Sequence, residues 1–247
     1  MSALACTAAN PAYRHEGRGH DAGGDDADSG PAFKGGDAAA SGNITTCGTA
    51  TPALDALVAV DSLAIDRRGN IYFSNDDGSH AFIGKLTPRG AADKHWLAIP
   101  LGLPTRGMAI DDGRGVIYFT AGTAAPELQA ADLDGTPQAR TVARGLVDPN
   151  DLVVGFDGNV YVSDQGDGQV YSFSPDGRKR TKVTGSAIGL RSNGTGPAGL
   201  AFARDGTLVV GYKGTGPLIR LSLGAGIEIG RGSFGPINDW INGLAYD

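Results

Sequence analysis

Asp61, Arg106, Asn150, Ala198 and Asn242 stand 45, 44, 48 and 44 residues apart. Four of the five are polar. A carboxylate and two carboxamides offer oxygen atoms to a ligand, and a guanidinium presents a fork of donors to an anion. The same set could equally line a hydrated channel that holds nothing. Either role requires a fold that gathers one register of the chain around a common axis.

The rest of the sequence supplies that register. Ser62-Leu63-Ala64-Ile65-Asp66 is followed by Gly69-Asn70-Ile71-Tyr72-Phe73-Ser74. Gly107-Met108-Ala109-Ile110-Asp111 is followed by Gly115-Val116-Ile117-Tyr118-Phe119-Thr120. Asp151-Leu152-Val153-Val154 leads to Asp157-Gly158-Asn159-Val160-Tyr161-Val162-Ser163, and Gly199-Leu200-Ala201-Phe202 to Asp205-Gly206-Thr207-Leu208-Val209-Val210. A fifth copy opens at Gly243-Leu244-Ala245-Tyr246-Asp247. Self-similarity at a fixed period of this length marks a repeat architecture.

Each copy reads as four short strands. An apolar strand ends at a turn such as Asp157-Gly158, where glycine supplies the positive φ of a tight hairpin. An alternating strand follows at 159–163, then a polar turn at 164–168 and a third strand at 169–173. Pro175-Asp176-Gly177 then turns the chain into a fourth strand. Four strands in 40–50 residues make one blade of a β-propeller. The fold class is therefore all-β: a propeller of about four blades plus part of a fifth. Small residues at Ala64, Ala109 and Ala201 suit the crowded innermost strand. Tyr72, Tyr118 and Tyr161 fall where sheets pack face to face and read as core between blades. Residues 53–60 are a candidate outer strand closing the ring, and a stop within the fifth motif favours a piece of a larger ring.

Composition agrees. Glycine, 40 of 247 residues, is about twice its usual share and implies many turns. The domains are a flexible, acidic Gly/Ala/Asp-rich tail or lipoprotein-type linker over 1–50 and the propeller over 51–247. The run from Gly17 to Gly42 carries almost no large apolar side chain and cannot offset its chain entropy. The tail's aspartates lack the ordered ligand spacing of a calcium loop. The net charge is −6, and the only basic cluster, Arg178, Lys179 and Arg180, reads as a solvated turn, so nucleic acid is not an expected partner. No apolar stretch reaches the length of a membrane span. Leu4-Ala5-Cys6 resembles the end of a bacterial lipoprotein signal. A lipid anchor at Cys6, a Cys6–Cys47 disulfide and two free thiols remain open alternatives. The expected location is extracytoplasmic, secreted or lipid-anchored.

Pro149-Asn150-Asp151-Leu152, Asp157 to Asp164 and Val170 to Gly177 together resemble the senescence marker protein/gluconolactonase superfamily of six-bladed propellers. They are nearly as similar to NHL-type repeats. The first resemblance implies a metal-dependent hydrolase of a lactone or similar small ester, with a divalent metal, often calcium, at one mouth of the axis. Its ligands would be Asp61, Asn150 and Asn242. Asn150 and Arg106 would carry the chemistry, Arg106 holding an anionic substrate group or neutralising Asp61. The second implies a non-catalytic extracytoplasmic propeller that binds a protein or carbohydrate; under either, a small-molecule or carbohydrate ligand is expected at the channel mouth. One departure bears on both: Pro197-Ala198-Gly199 stands where the lactonase pattern places a metal-binding aspartate. Elsewhere the chain shows no nucleophile elbow, phosphate loop or histidine pair at metal-binding spacing. His80, in a turn, and His95, near a strand end, read as surface residues.

Overall fold

The computed structural model describes residues 60–76, 80–99, 105–122, 125–186, 196–213, 216–237 and 244. All lie within the unit Ala53–Asp247. The expected tail over 1–50, both cysteines, Asn242 and almost all of the fifth copy and of the candidate strand 53–60 lie outside the described residues.

The four complete copies are four antiparallel four-stranded sheets, each a meander in chain order. Blade 1 holds β1 (Leu63–Ile65), β2 (Ile71–Asp76), β3 (Ala81–Leu86) and β4 (Ala92–Ala98). Blade 2 holds β5 (Thr105–Asp111), β6 (Val116–Ala121), β7 (Glu127–Asp132) and β8 (Arg140–Ala143). Blade 3 holds β9 (Pro149–Val154), β10 (Val160–Asp164), β11 (Gln169–Phe173) and β12 (Arg180–Lys182). Blade 4 holds β13 (Gly196–Phe202), β14 (Leu208–Lys213), β15 (Gly216–Gly224) and β16 (Ile227–Ile237). The first strands of successive blades lie against one another, β5 against β1 and β9, and β13 against β9. They are the innermost strands, as the small repeat residues require.

Alternation along each strand splits its side chains between two neighbours. Met108, Leu152 and Leu200 pack back onto the preceding blade, whereas Ala64, Ala109 and Val153 pack onto the following one. Tyr72, Tyr118 and Tyr161 also face the following blade and are buried. This is the packing expected of them, with a polar function added. The Tyr72 hydroxyl donates to Asp66 at 3.3 Å, and the Tyr161 hydroxyl to Asp157 at 2.9 Å. The same aspartates accept the backbone N–H groups of Asn70 and Asn159 at 2.8 and 3.0 Å. The turns between the first two strands of blades 1 and 3 are therefore Asx-type turns fixed by a side chain from the strand they introduce. His95 is exposed but lies within β4 rather than near a strand end.

Candidate functional site at the mouth of the inner strands

Three of the register residues sit inside the inner strands, not just before them. Arg106 is the second residue of β5, Asn150 the second of β9, and Ala198 the third of β13. Among the described register residues, only Asp61 precedes its strand. The difference has a physical cause. Pairing slips between Thr105 and Met108, between Val162 and Asp164 opposite β9, and between Pro197 and Leu200. The same irregularity recurs in blades 2, 3 and 4. A bulge prolongs a strand past the point where its ladder breaks and re-aims the side chains there.

A bulge frees backbone N–H groups, which must find partners. A hydroxyl on the second strand takes this role in blades 2 and 3, and one at the same position holds the approach to β1 in blade 1, where pairing does not slip. Ser74 Oγ accepts from Asp61 N and Ser62 N at 2.8 and 3.1 Å, Thr120 Oγ1 from Gly107 N at 3.2 Å, and Ser163 Oγ from Asp151 N at 3.0 Å. Blade 4 has Gly211 at that position. Here blade 3 reaches across: Ser163 donates its hydroxyl to Ala198 O at 2.6 Å, and Leu200 N donates to the Asp151 carboxylate at 2.9 Å. Blades 2 and 3 approach just as closely. A Cβ at Gly107 would lie 2.8 Å from Asn150 O and 2.9 Å from Asp151 Cα.

These constraints set the mouth. Arg106 forms an ion pair with Asp148, not with Asp61, and both partners are open to solvent. Asp148 is 42 residues away, in the connection entering β9. Asn150 is nearly buried and offers Nδ2 to Gln165 Oε1 at 3.5 Å. Asp61 is exposed, and Ala198 is 0% exposed. The structure thus pairs Arg106 with Asp148 across the seam of blades 2 and 3, and Asn150 with Gln165 within blade 3. Among the described residues no group of three or more His, Cys, Asp or Glu side chains is placed to hold a metal ion. The lactonase-type ligand set includes Asn242, which lies outside the described residues.

Two carboxylates that sequence reasoning did not single out shape this region. Asp164 accepts Val147 N and Asp148 N at 2.8 Å each and Gly166 N at 3.2 Å. Burial pushes its pKa up, and those N–H bonds partly offset the shift. Asp151 accepts Leu152 N at 2.8 Å besides Leu200 N, so it bridges equivalent amides of two inner strands. Burial raises Asp151 to about 6, against the lowering effect of both amides.

The sign for Asp151 is as follows. Its folded pKa exceeds the unfolded value of 3.8. The stability it contributes is therefore fully present below about pH 4 and lost as pH rises through about 6. Two units correspond to at most about 3 kcal/mol. The Asp151→Asn variant is expected to gain on the unsubstituted chain by about 1–3 kcal/mol between pH 4 and 7, as read by urea titration at several pH values. Parallel stability curves for the two proteins would refute this.

No protein-family model matches the chain, and no curated protein matches it significantly. Solved structures do match. In the crystal structure of a nidogen/laminin complex, the similar chain is 22% identical, with 76% of this chain and 68% of that chain covered and a TM-score of 0.63. A catalytically inactive virginiamycin B lyase from Staphylococcus aureus, solved with quinupristin, is 17% identical over 75% of this chain and 59% of that one, with a TM-score of 0.56. The chain thus spans less than two thirds of the lyase. A gluconolactonase from Xanthomonas campestris is 19% identical over 62% and 54% of the two chains, with a TM-score of 0.49, a match too loose to bear on activity. The chain is a β-propeller, with four four-stranded blades among its described residues.

Proposed function

We propose that this propeller binds a small, oxygen-rich molecule, a carbohydrate or sugar acid, at the mouth formed by the starts of its inner strands. One observation carries this reading: three carboxylates around blade 3's seams are already committed. Asp148 is held by Arg106, Asp151 by two backbone amides and Asp164 by three. Beside them stand the Arg106 guanidinium, which has N–H donors beyond the one that Asp148 takes, and the carboxamide of Asn150. Such groups recognise hydroxyls and carboxylates by hydrogen bonding and do not need to supply an acid or base.

Calorimetry and saturation-transfer NMR with a panel of neutral sugars, aldonic acids and sugar lactones test this on the full chain. Arg106→Ala is expected to weaken acidic ligands about tenfold, the loss of one charge-assisted hydrogen bond, and neutral ones much less. Asn150→Ala should weaken both. No binding across the panel would overturn the reading.

A second reading, metal-dependent lactone hydrolysis, is favoured by Pro149-Asn150-Asp151-Leu152 and by exposed Asp61 at the equivalent register. Titration with calcium, zinc and manganese, together with lactone hydrolysis abolished in Asn150→Ala, would establish it over the first.

A further inference from the structure

The repeat sets one outer-strand position side by side at two seams. Ile83 and Leu128 stand opposite the recurring hydroxyls of Ser74 and Thr120, so they are equivalent. On the outer strand Ile83 pairs with Leu97, and Leu128 with Ala143. The residue before each of these partners slips out of the ladder and packs towards the following blade: Trp96 in blade 1, Val142 in blade 2. Trp96 fills its seam, edge-on to Tyr72 with ring centroids 5.0 Å apart. Val142 is far smaller. At its seam a hollow of about 350 Å³ opens between the outer strands of blades 2 and 3, with Val142, Arg144, Phe173 and Arg180 among its walls. That is room for a small ligand. Every wall comes from within residues 141–180, well inside the chain.

The charge around the hollow is one-sided. Residues 140–144 and 176–182, the two stretches that flank it, hold six basic side chains and one acidic one, in a chain whose net charge is −6. Arg144 gives its Nε–H to Glu127 at 2.7 Å and keeps its terminal N–H groups for other partners. Arg180 is held differently. Its guanidinium lies over the Tyr171 ring, 3.8 Å from the centroid, and donates to Gly145 O at 3.0 Å. Among the described residues eight arginines form ion pairs with an aspartate or glutamate, and Arg180 is not one of them. A guanidinium fixed by a ring and a carbonyl, with donors to spare and no carboxylate, is preorganised for an anion from outside.

We propose that this hollow is a second ligand site, separate from the mouth, for a small organic anion with an apolar body, such as an aromatic carboxylate or an aryl phosphate. The oxyanion meets Arg180 and Arg144. The body lies beside Val142 and Phe173, in the space that Trp96 takes in the neighbouring seam.

Phenyl phosphate, benzoate and inorganic phosphate test this on the full chain, by calorimetry and by the NMR signals of the arginine side chains. The two organic anions are expected to bind with Kd of about 0.1–1 mM, and inorganic phosphate about tenfold more weakly for want of a body. Arg180→Ala should weaken the organic anions about tenfold or more. Arg180→Lys keeps the charge but not the fork and should fall in between. Arg67→Ala, which removes a charge from an exposed turn of blade 1, should leave all three unchanged. The decisive variant is Val142→Trp, which keeps every charge and copies blade 1. It should abolish binding of the organic anions, with circular dichroism showing that the fold is kept. No binding of any probe at about 10 mM, or unchanged binding by Arg180→Ala or by folded Val142→Trp, would overturn the inference.

Discussion

Replacing Asp164 by alanine is expected to cost about 3–5 kcal/mol, the cost of dismantling a buried charged hydrogen-bond centre. The side chain is 0% exposed and accepts three backbone amides. Alanine would leave the N–H groups of Val147, Asp148 and Gly166 without an acceptor, and each buried unpaired donor costs about 1–3 kcal/mol. Asp164→Asn should be little better, because its amide nitrogen faces donors. The damage should reach the mouth, since Asp148 is both a donor to Asp164 and the partner of Arg106. Urea unfolding measures the loss. A change below about 1 kcal/mol, the worth of an ordinary hydrogen bond, would show that water replaces the carboxylate at no net cost.

The second large effect lies on the opposite side of the blade. Gly177, in the hairpin between β11 and β12, has φ +72°, and a Cβ there would sit 1.8 Å from the carbonyl oxygen of Val142 in β8. Backbone of one blade thus rests on backbone of the next. Gly177→Ala should cost about 1–2 kcal/mol for the left-handed conformation, with a further ~1–3 kcal/mol for forcing the blades apart. At about 2–4 °C per kcal/mol for a domain of this size, the melting temperature should fall by roughly 5–15 °C. Gly90→Ala is the control: its φ is +84° but nothing lies within 4 Å of the added carbon. It should show only the conformational cost. Equal losses in the two variants would mean that the contact between blades 2 and 3 does not matter.

These two sites show where reading the sequence stops. The period, the strand pattern and the buried tyrosines follow from short-range alternation and turn residues, and the structure matches them nearly strand for strand. The third strand of blade 3 falls on Gln169–Phe173 as expected. The bulges do not follow from the pattern: blades 2 and 3 set a hydroxyl against the freed amide, whereas blade 4 slips in the same way with Gly211 at that position and is held from blade 3. Ser74, Thr120 and Ser163 do recur at one position of the repeat, so the signal was present, but their role needs the paired strand to be in view. Arg106 with Asp148, and Asp151 with Leu200, pair across blade boundaries over 42 and 49 residues. Periodicity carries no information about such partners. Asp164 was assigned to a polar turn because aspartate favours turns. It is instead the last residue of β10, with its charge facing inward.

Ala198 has a consequence for how such chains diverge. Its carbonyl is tied to the Ser163 hydroxyl and its side chain has no access to water. An aspartate introduced there would enter a filled space and bring an unpaired charge with it. One nucleotide change therefore does not convert this mouth into a cation-holding one. The neighbouring serine and the spacing of the two sheets would have to change as well, so the two kinds of mouth are separated by several coordinated substitutions.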